Sequence, residues 1–243
     1  MVNEYDMSSF QPPPPWLCKD SVAIMGVGVC QGGRKMLQAM VPKPLVVPED
    51  PQVFVWAIDY PVFILGPYTE ALVTIEASYK GVLGAYMAFA YTSSPETVAN
   101  GREFLGYPKR LAEITVREQG EAFVGRLERC GTHLLTLSVT RKKVGRFHEK
   151  DTAILKGPLY MHKIIPSPNG SNPPEVDEIV AYQVGVEKVH WVYEGQANVY
   201  FSPEGVDPLW SLNPLKLVRG YVYKFDAGAS FKAEVVYRYS HTR

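Results

Sequence analysis

The chain of 243 residues predicts a mainly β (α+β) fold, antiparallel strands in a barrel or sandwich with a few short helices. Three observations carry this expectation. Apolar and polar residues alternate in many short runs, as half-buried strands require. Glycine-centred turns separate them, as at Tyr79-Lys80-Gly81, Gln119-Gly120-Glu121 and Cys130-Gly131-Thr132. Within this β text only one segment carries a full set of helix signals.

In chain order, Pro12-Pro13-Pro14-Pro15 is a stiff polyproline II arm that can join neither a helix nor a central strand. It reads as a lead-in or an intersubunit arm over residues 1–18, before a single domain over 19–243. Val22 to Val29 is apolar and β-branched enough for a buried strand. Gly32-Gly33 breaks it, and Arg34 to Met40 makes a short helix stopped by Pro42 and Pro44. Val53 to Ile64 reads as a strand, and Ala71 to Ser78 with Val82 to Tyr91 as a hairpin.

The helix follows: Ser94 caps it, Pro95 suits its first turn, Glu96 complements its dipole, and Gly101 or Gly106 ends it. Ala112 to Glu118, Ala122 to Arg129 and His133 to Thr140 form a meander. Glu178 to Tyr193, Ala197 to Phe201, Val218 to Phe225 and Ser230 to Tyr239 continue the strands, and Pro166 to Pro174 is the most loop-like interior stretch.

Composition narrows the function. Twenty-five Lys and Arg balance twenty-five Asp and Glu, so no net field recruits nucleic acid or an anionic membrane. A small, partly apolar ligand fits better, and Arg141-Lys142-Lys143 reads as a solvated turn. Three widely spaced cysteines, Cys18, Cys30 and Cys130, define neither a disulfide framework nor a metal site. No apolar run approaches a membrane span and no basic-then-apolar leader pattern opens the chain, so the expectation is a soluble cytoplasmic protein. Five scattered histidines include no i, i+4 pair, which disfavours a metal. No cofactor is expected. Gly26-Val27-Gly28 with Gly32-Gly33 imitates a nucleotide loop, but the following helix is short and no βαβ unit follows.

The stretch "GREFLGYPKRL" places Lys109 and Arg110 after Pro108, where the helix gives way to a strand. Pro108 fixes the backbone, so a side chain can be aimed. A lysine attacks carbonyls only as the neutral amine, and an ordinary pKa near 10.4 leaves about one in two thousand neutral at pH 7. A guanidinium about 6 Å away at an effective dielectric of about 20 disfavours the ammonium by about 2.8 kcal/mol, about two pKa units. Arg110 is the expected source of that repulsion.

The segment "GREFLGYPKRLAEI" resembles the active-site segment of the acetoacetate decarboxylase superfamily, an Arg-Glu helix end followed by Tyr-Pro-Lys-Lys. "LQAMVPKPL", "YTEA", "GPLYMHKIIPSPNGS" and "AEVVYRY" match in the same order. The resemblance implies an antiparallel β-barrel or cone-like double sheet, a homo-oligomer, and an imine-forming lyase acting on a small carbonyl compound without a cofactor. Activation of the lysine by a second cation is a property of that family. Lys109 falls on the Schiff-base lysine, Arg110 on the second lysine, and Glu70 on a glutamate that handles protons or orients substrate. Counting without gaps puts Ala23 on the family's carboxylate-binding arginine and Val55 on a second acidic residue. Neither can replace an arginine fork. The implied pocket, built around Ala23, Val55, Trp56 and Tyr91 with Tyr68 and Tyr107, is larger or more apolar than one for a small β-keto acid. Decarboxylation is the family default; aldol, dehydration or cyclisation on a bulkier, less charged carbonyl compound, or non-covalent binding alone, are the alternatives.

Overall fold

A computed structural model describes residues 15–170, 173–204 and 207–241. Most of the proline arm and the Ser171-Asn172 part of the expected loop therefore lie outside the described residues. β1 (Cys18–Cys30) starts where the arm was expected to end, and Trp16 packs edge-on against Phe104 and Phe231 at 5.7 and 5.8 Å. α1 (Gly33–Met40) follows, then β2 (Val53–Tyr60), where Pro61 interrupts the expected long strand. The remainder is β3 (Val62–Phe63), which turns back onto Cys18 and Lys19. β4 (Tyr68–Tyr79) and β5 (Val82–Thr92) make the expected hairpin. α2 (Pro95–Asn100) leads through a π-helical turn, Gly101–Leu105, into β6 (Lys109–Leu111).

β7 (Glu113–Gln119), β8 (Ala122–Arg129) and β9 (Thr132–Thr140) form the meander, and β13 (Ala197–Phe201) joins it to make a four-stranded antiparallel sheet. The large sheet runs β10-β12-β11-β5-β4-β2-β1-β14, with β10 (Lys143–Val144), β11 (Leu159–Ile165), β12 (Val176–Gly195) and β14 (Leu215–Arg238). β12 also pairs with β14, so the pairing path returns on itself and the double sheet takes a cone-like form. The sheet is mixed: β11 and β6 both run parallel to β5.

β14 corrects the expectation of two strands. Asp226-Ala227-Gly228 looks like a turn in isolation, yet β12 lies alongside from Gly220 to Arg238 and holds the chain extended. α3 (Glu149–Lys156) and β11 are elements the sequence pattern does not announce. α3 has a weak apolar stripe and is held by one contact in particular. Its buried Asp151 accepts hydrogen bonds from Arg219 Nε and Nη2 at 2.7 and 2.6 Å and from the Tyr221 hydroxyl at 2.8 Å.

The central strands β1, β2 and β4 bury both faces along most of their length. On β1 and β2 the residues Ala23, Met25, Phe54, Trp56 and Ile58 face the inside of the cone. Ile24, Val53 and Val55 face outward, where Leu127, Leu135 and Leu137 of the small sheet cover them. Each such Leu or Val contributes about 1.5–3 kcal/mol by leaving water. Of the glycines that imitated a nucleotide loop, Gly26 and Gly28 lie inside β1, where a Cβ on Gly26 would sit 2.7 Å from Leu217. Close packing against β14 and the small sheet explains them.

The two sheets approach closely where Gly125 of β8 meets Ala57 of β2, with no room for a Cβ between them. Gly125→Val should therefore overpack this contact and lower stability by about 1–3 kcal/mol, read as a reduced urea midpoint with an unchanged slope.

Candidate active site

The local sequence aims Lys109 in three steps. Ser94 caps α2 by accepting the Thr97 amide proton at 3.3 Å, and Pro95 occupies the first turn. The chain then widens into the π-helical turn, and Gly106 stops it with φ of +81°. That backbone suits glycine, and a Cβ there would lie 2.5 Å from the Lys163 backbone. Tyr107-Pro108 leads out extended, and β6 docks parallel to β5 with Lys109 opposite Ala90 and Arg110 opposite Tyr91.

Successive side chains on a strand point to opposite faces. Lys109 therefore enters the cone, and Arg110 leaves it. The Arg110 guanidinium forms an ion pair with buried Asp207, which also receives Arg129 at 2.9 Å. This corrects the expected placement of Arg110 beside the Lys109 amine: alternation along β6 separates them. Tyr91 shares the Arg110 side and packs in the outer core. Burial pushes its phenol up to about 12 against the pull of Arg110 and Arg129. Val55 likewise faces the small sheet, so neither Tyr91 nor Val55 lines the chamber. Ala23 and Trp56 do face the inside.

Inside the cone Lys109 Nζ lies 2.5 Å from Glu70 Oε1, and both side chains are buried, 9% and 5% exposed. The contact is a close ion pair without the alignment of a good hydrogen bond. Two rings flank the amine, Tyr107 with its centroid at 5.1 Å and Tyr68 at 5.7 Å, both within cation–π range. Gly101 supplies the floor: a Cβ there would lie 2.8 Å from Lys109 Cδ.

Sequence reasoning missed the second ring of aromatics. Tyr60 stacks on Tyr68 at 4.6 Å, Phe63 meets Tyr68 edge-on at 4.9 Å, and Tyr182 meets Tyr107 at 6.2 Å. Tyr60 was legible, since it continues the Trp56, Ile58 alternation on the inner face. Tyr182, about seventy residues beyond Lys109, carries no local signal.

Burial is the main cause of the electrostatics here. It raises the phenols of Tyr60, Tyr68 and Tyr107 well above 10.0, with the Glu70 carboxylate adding to the shift. All three stay neutral hydrogen-bonding groups at physiological pH. Among the described residues Lys109 is the only buried cation. The other buried carboxylates have partners elsewhere: Asp151 with Arg219, Glu178 with Arg238, Asp207 with Arg110 and Arg129, and Glu76 with Lys150 at 3.8 Å.

An open cleft lies elsewhere. It measures about 1270 Å³ and is lined by Lys142, Arg146, His148, Lys156, Glu194 and Arg219 among others, and Lys109 is not part of it. The buried ion pair and its aromatic walls, and not cavity size, mark the candidate site, because an open cleft carries no chemistry by its volume. Asp20, His190 and Asp226 bring one potential metal-ligand atom each within 4.8 Å. Lys224 already pairs with Asp20 at 2.7 Å, and His190 Nε2 lies 3.0 Å from Asp226 Oδ2.

The family model for acetoacetate decarboxylase (ADC) matches residues 32–240. An acetoacetate decarboxylase of Burkholderia vietnamiensis is 31% identical over 206 residues, spanning 84% of this chain and 81% of that protein. Acetoacetate decarboxylase 3 of Mesorhizobium japonicum is 30% identical over 209 residues, spanning 85% and 79%. Among solved structures, one acetoacetate decarboxylase superposes with a TM-score of 0.86 at 25% identity over 98% of this chain and 96% of its own. The enduracididine biosynthesis enzyme MppR complexed with pyruvate shares the fold, with a TM-score of 0.76 at 17% identity over 95% and 93%.

Two outcomes follow from this geometry. Gly101→Ala should displace the Lys109 side chain and slow any reaction at its amine at least about tenfold, a loss of about 1.4 kcal/mol in the transition state. The fold should persist, since the atom to be moved is the flexible part of a lysine; kcat beside a melting curve checks both. The buried phenols fix the alkaline limit: their folded pKa values lie above the unfolded value, so their contribution to stability is full below pH 10 and is lost as pH rises through the raised values. Urea midpoints should hold steady up to about pH 9 and fall above about pH 10, with phenolate absorbance of these rings appearing only on unfolding.

Proposed function

Since the chain belongs to the acetoacetate decarboxylase family, we propose that it is an imine-forming lyase in which Lys109 is the nucleophile and Glu70 its proton partner. The observation that carries this reading is the buried Lys109–Glu70 pair at 2.5 Å between two aromatic faces. Transfer of a proton from the ammonium to Glu70 yields the neutral amine without importing charge. The amine adds to a carbonyl carbon, and protonated Glu70 helps the oxygen leave as water. The resulting protonated imine draws the electron pair of an adjacent bond toward nitrogen. The Glu70 carboxylate then balances the iminium charge, and Tyr68 and Tyr107 stabilise the cation further through their π faces.

In the family's own reaction the bond that breaks joins the α-carbon to a carboxylate, CO2 departs, and a proton takes its place on carbon. A second reading, cleavage or formation of a C–C, C–H or C–O bond beside the imine of a bulkier, less charged carbonyl compound, is favoured by one observation. Lys109 is the only buried cation among the described residues, and Ala23 offers no charge to a substrate carboxylate.

Borohydride reduction in the presence of a carbonyl substrate should leave a covalent adduct on Lys109, read by intact mass. Lys109→Ala should abolish both the adduct and turnover. Glu70→Gln should keep the adduct but reduce kcat by about 10²- to 10⁴-fold, the usual contribution of a positioned acid–base group. Full turnover by Lys109→Ala would sink the imine reading and leave a non-covalent binding role.

A further inference from the structure

We infer that the carbonyl compound accepted at Lys109 is uncharged and carries an aromatic ring, and that Tyr60, Phe63 and Tyr182 select it. The inference rests on the imine reading above and adds the substrate class to it.

Charge counting is the first support. Lys109 and Glu70 sum to zero as ammonium and carboxylate, as amine and carboxylic acid, and again as iminium and carboxylate. An uncharged substrate keeps the chamber neutral at every one of these stages. A substrate carboxylate would add a buried negative charge whose nearest buried cation already faces Glu70. The other guanidinium groups bound to buried carboxylates are committed: Arg219 to Asp151, Arg238 to Glu178, and Arg110 with Arg129 to Asp207. An unpaired buried carboxylate is strongly disfavoured.

The second support is the shape of the approach. Tyr60, Phe63 and Tyr107 are half-buried, whereas Ala23, Ile58 and Leu72 deeper in the cone are buried. Half-exposed Tyr107 flanks the amine directly, and half-exposed Tyr60 and Phe63 reach it through Tyr68. They stand as two walls: Tyr68 backed by Tyr60 and Phe63, and Tyr107 backed by Tyr182, which Phe231 supports at 5.3 Å. Rings in stacked and edge-on arrangements present both π faces and ring edges to a guest. Aromatic pairing of this kind discriminates by about 2- to 10-fold per contact beyond area alone.

Four probes arranged as two matched pairs test this. Acetone and 4-phenyl-2-butanone are uncharged, without and with a ring; acetoacetate and 5-phenyl-3-oxopentanoate are the corresponding β-keto acids. Each is titrated with borohydride present, and the concentration giving half-modification of Lys109 is read by intact mass. In trapping, the C=N bond forms as the carbonyl oxygen leaves as water, and borohydride reduces it to a stable amine. The expected order places 4-phenyl-2-butanone at least about tenfold below acetone and about 100-fold below either keto acid. Acetoacetate trapping as readily as 4-phenyl-2-butanone would overturn the substrate class and leave the imine reading standing. No adduct from any probe would overturn the imine reading itself. Phe63→Leu, on the half-buried wall, should lower the preference for 4-phenyl-2-butanone over acetone by about 2- to 10-fold. An unchanged preference in Phe63→Leu and also in Tyr60→Leu would remove these walls as the selecting element.

Discussion

Putting an ammonium and a carboxylate together out of water costs several kcal/mol per ion before their attraction is counted. The Lys109–Glu70 pair meets that cost only because every other part of the site is arranged around it. Both groups sit at the ends of regular elements that cannot easily move: Glu70 within β4, between β2 and β5, and Lys109 at the first residue of β6. The π faces of Tyr68 and Tyr107 replace part of the lost hydration. The pair leaves its surroundings neutral, so the remaining inner face is free to be aromatic and aliphatic.

The large sheet presents one face to the inside of the cone and buries the other, and the small sheet of β13-β9-β8-β7 provides the second cover. Arg110 shows how tightly the two faces are coupled. Its guanidinium is drawn outward to Asp207, which Arg129 also binds, and that anchor holds β6 against β5 from behind while Lys109 points forward. The cation next to Lys109 in sequence thus fixes its strand and is electrically spoken for elsewhere.

α3 and the Arg219–Asp151–Tyr221 network occupy another part of the inner face. Tyr221 belongs to the inner core and its hydroxyl donates to Asp151 while accepting the His148 amide proton at 3.1 Å. Arg219, Tyr221 and Tyr223 follow one another on one face of β14, so the chamber is continuous in side chains with the network at α3. The charged groups of that network are mutually satisfied, which keeps the aromatic interior apolar between two ionic anchors.

The alternation of apolar residues, the glycine turns and the Ser94-Pro95-Glu96 cap determined the β elements and the helix that delivers Lys109. Those are local properties, carried by backbone preference and period. The words around Lys109 and Glu70 also marked both residues in advance, because each sits in a short segment with its own signature. Tertiary structure decided which face of each strand became the chamber. Alternation defines two faces but not which one a second sheet will cover, so Val55 and Tyr91 went outward while Trp56 and Ala23 stayed inside. The opposite directions of Lys109 and Arg110 followed from strand period alone once β6 was known to be a strand. Tyr182 behind Tyr107, and β14 as one strand in place of two, arise from pairings between distant segments, and no local pattern encodes a partner that lies far along the chain.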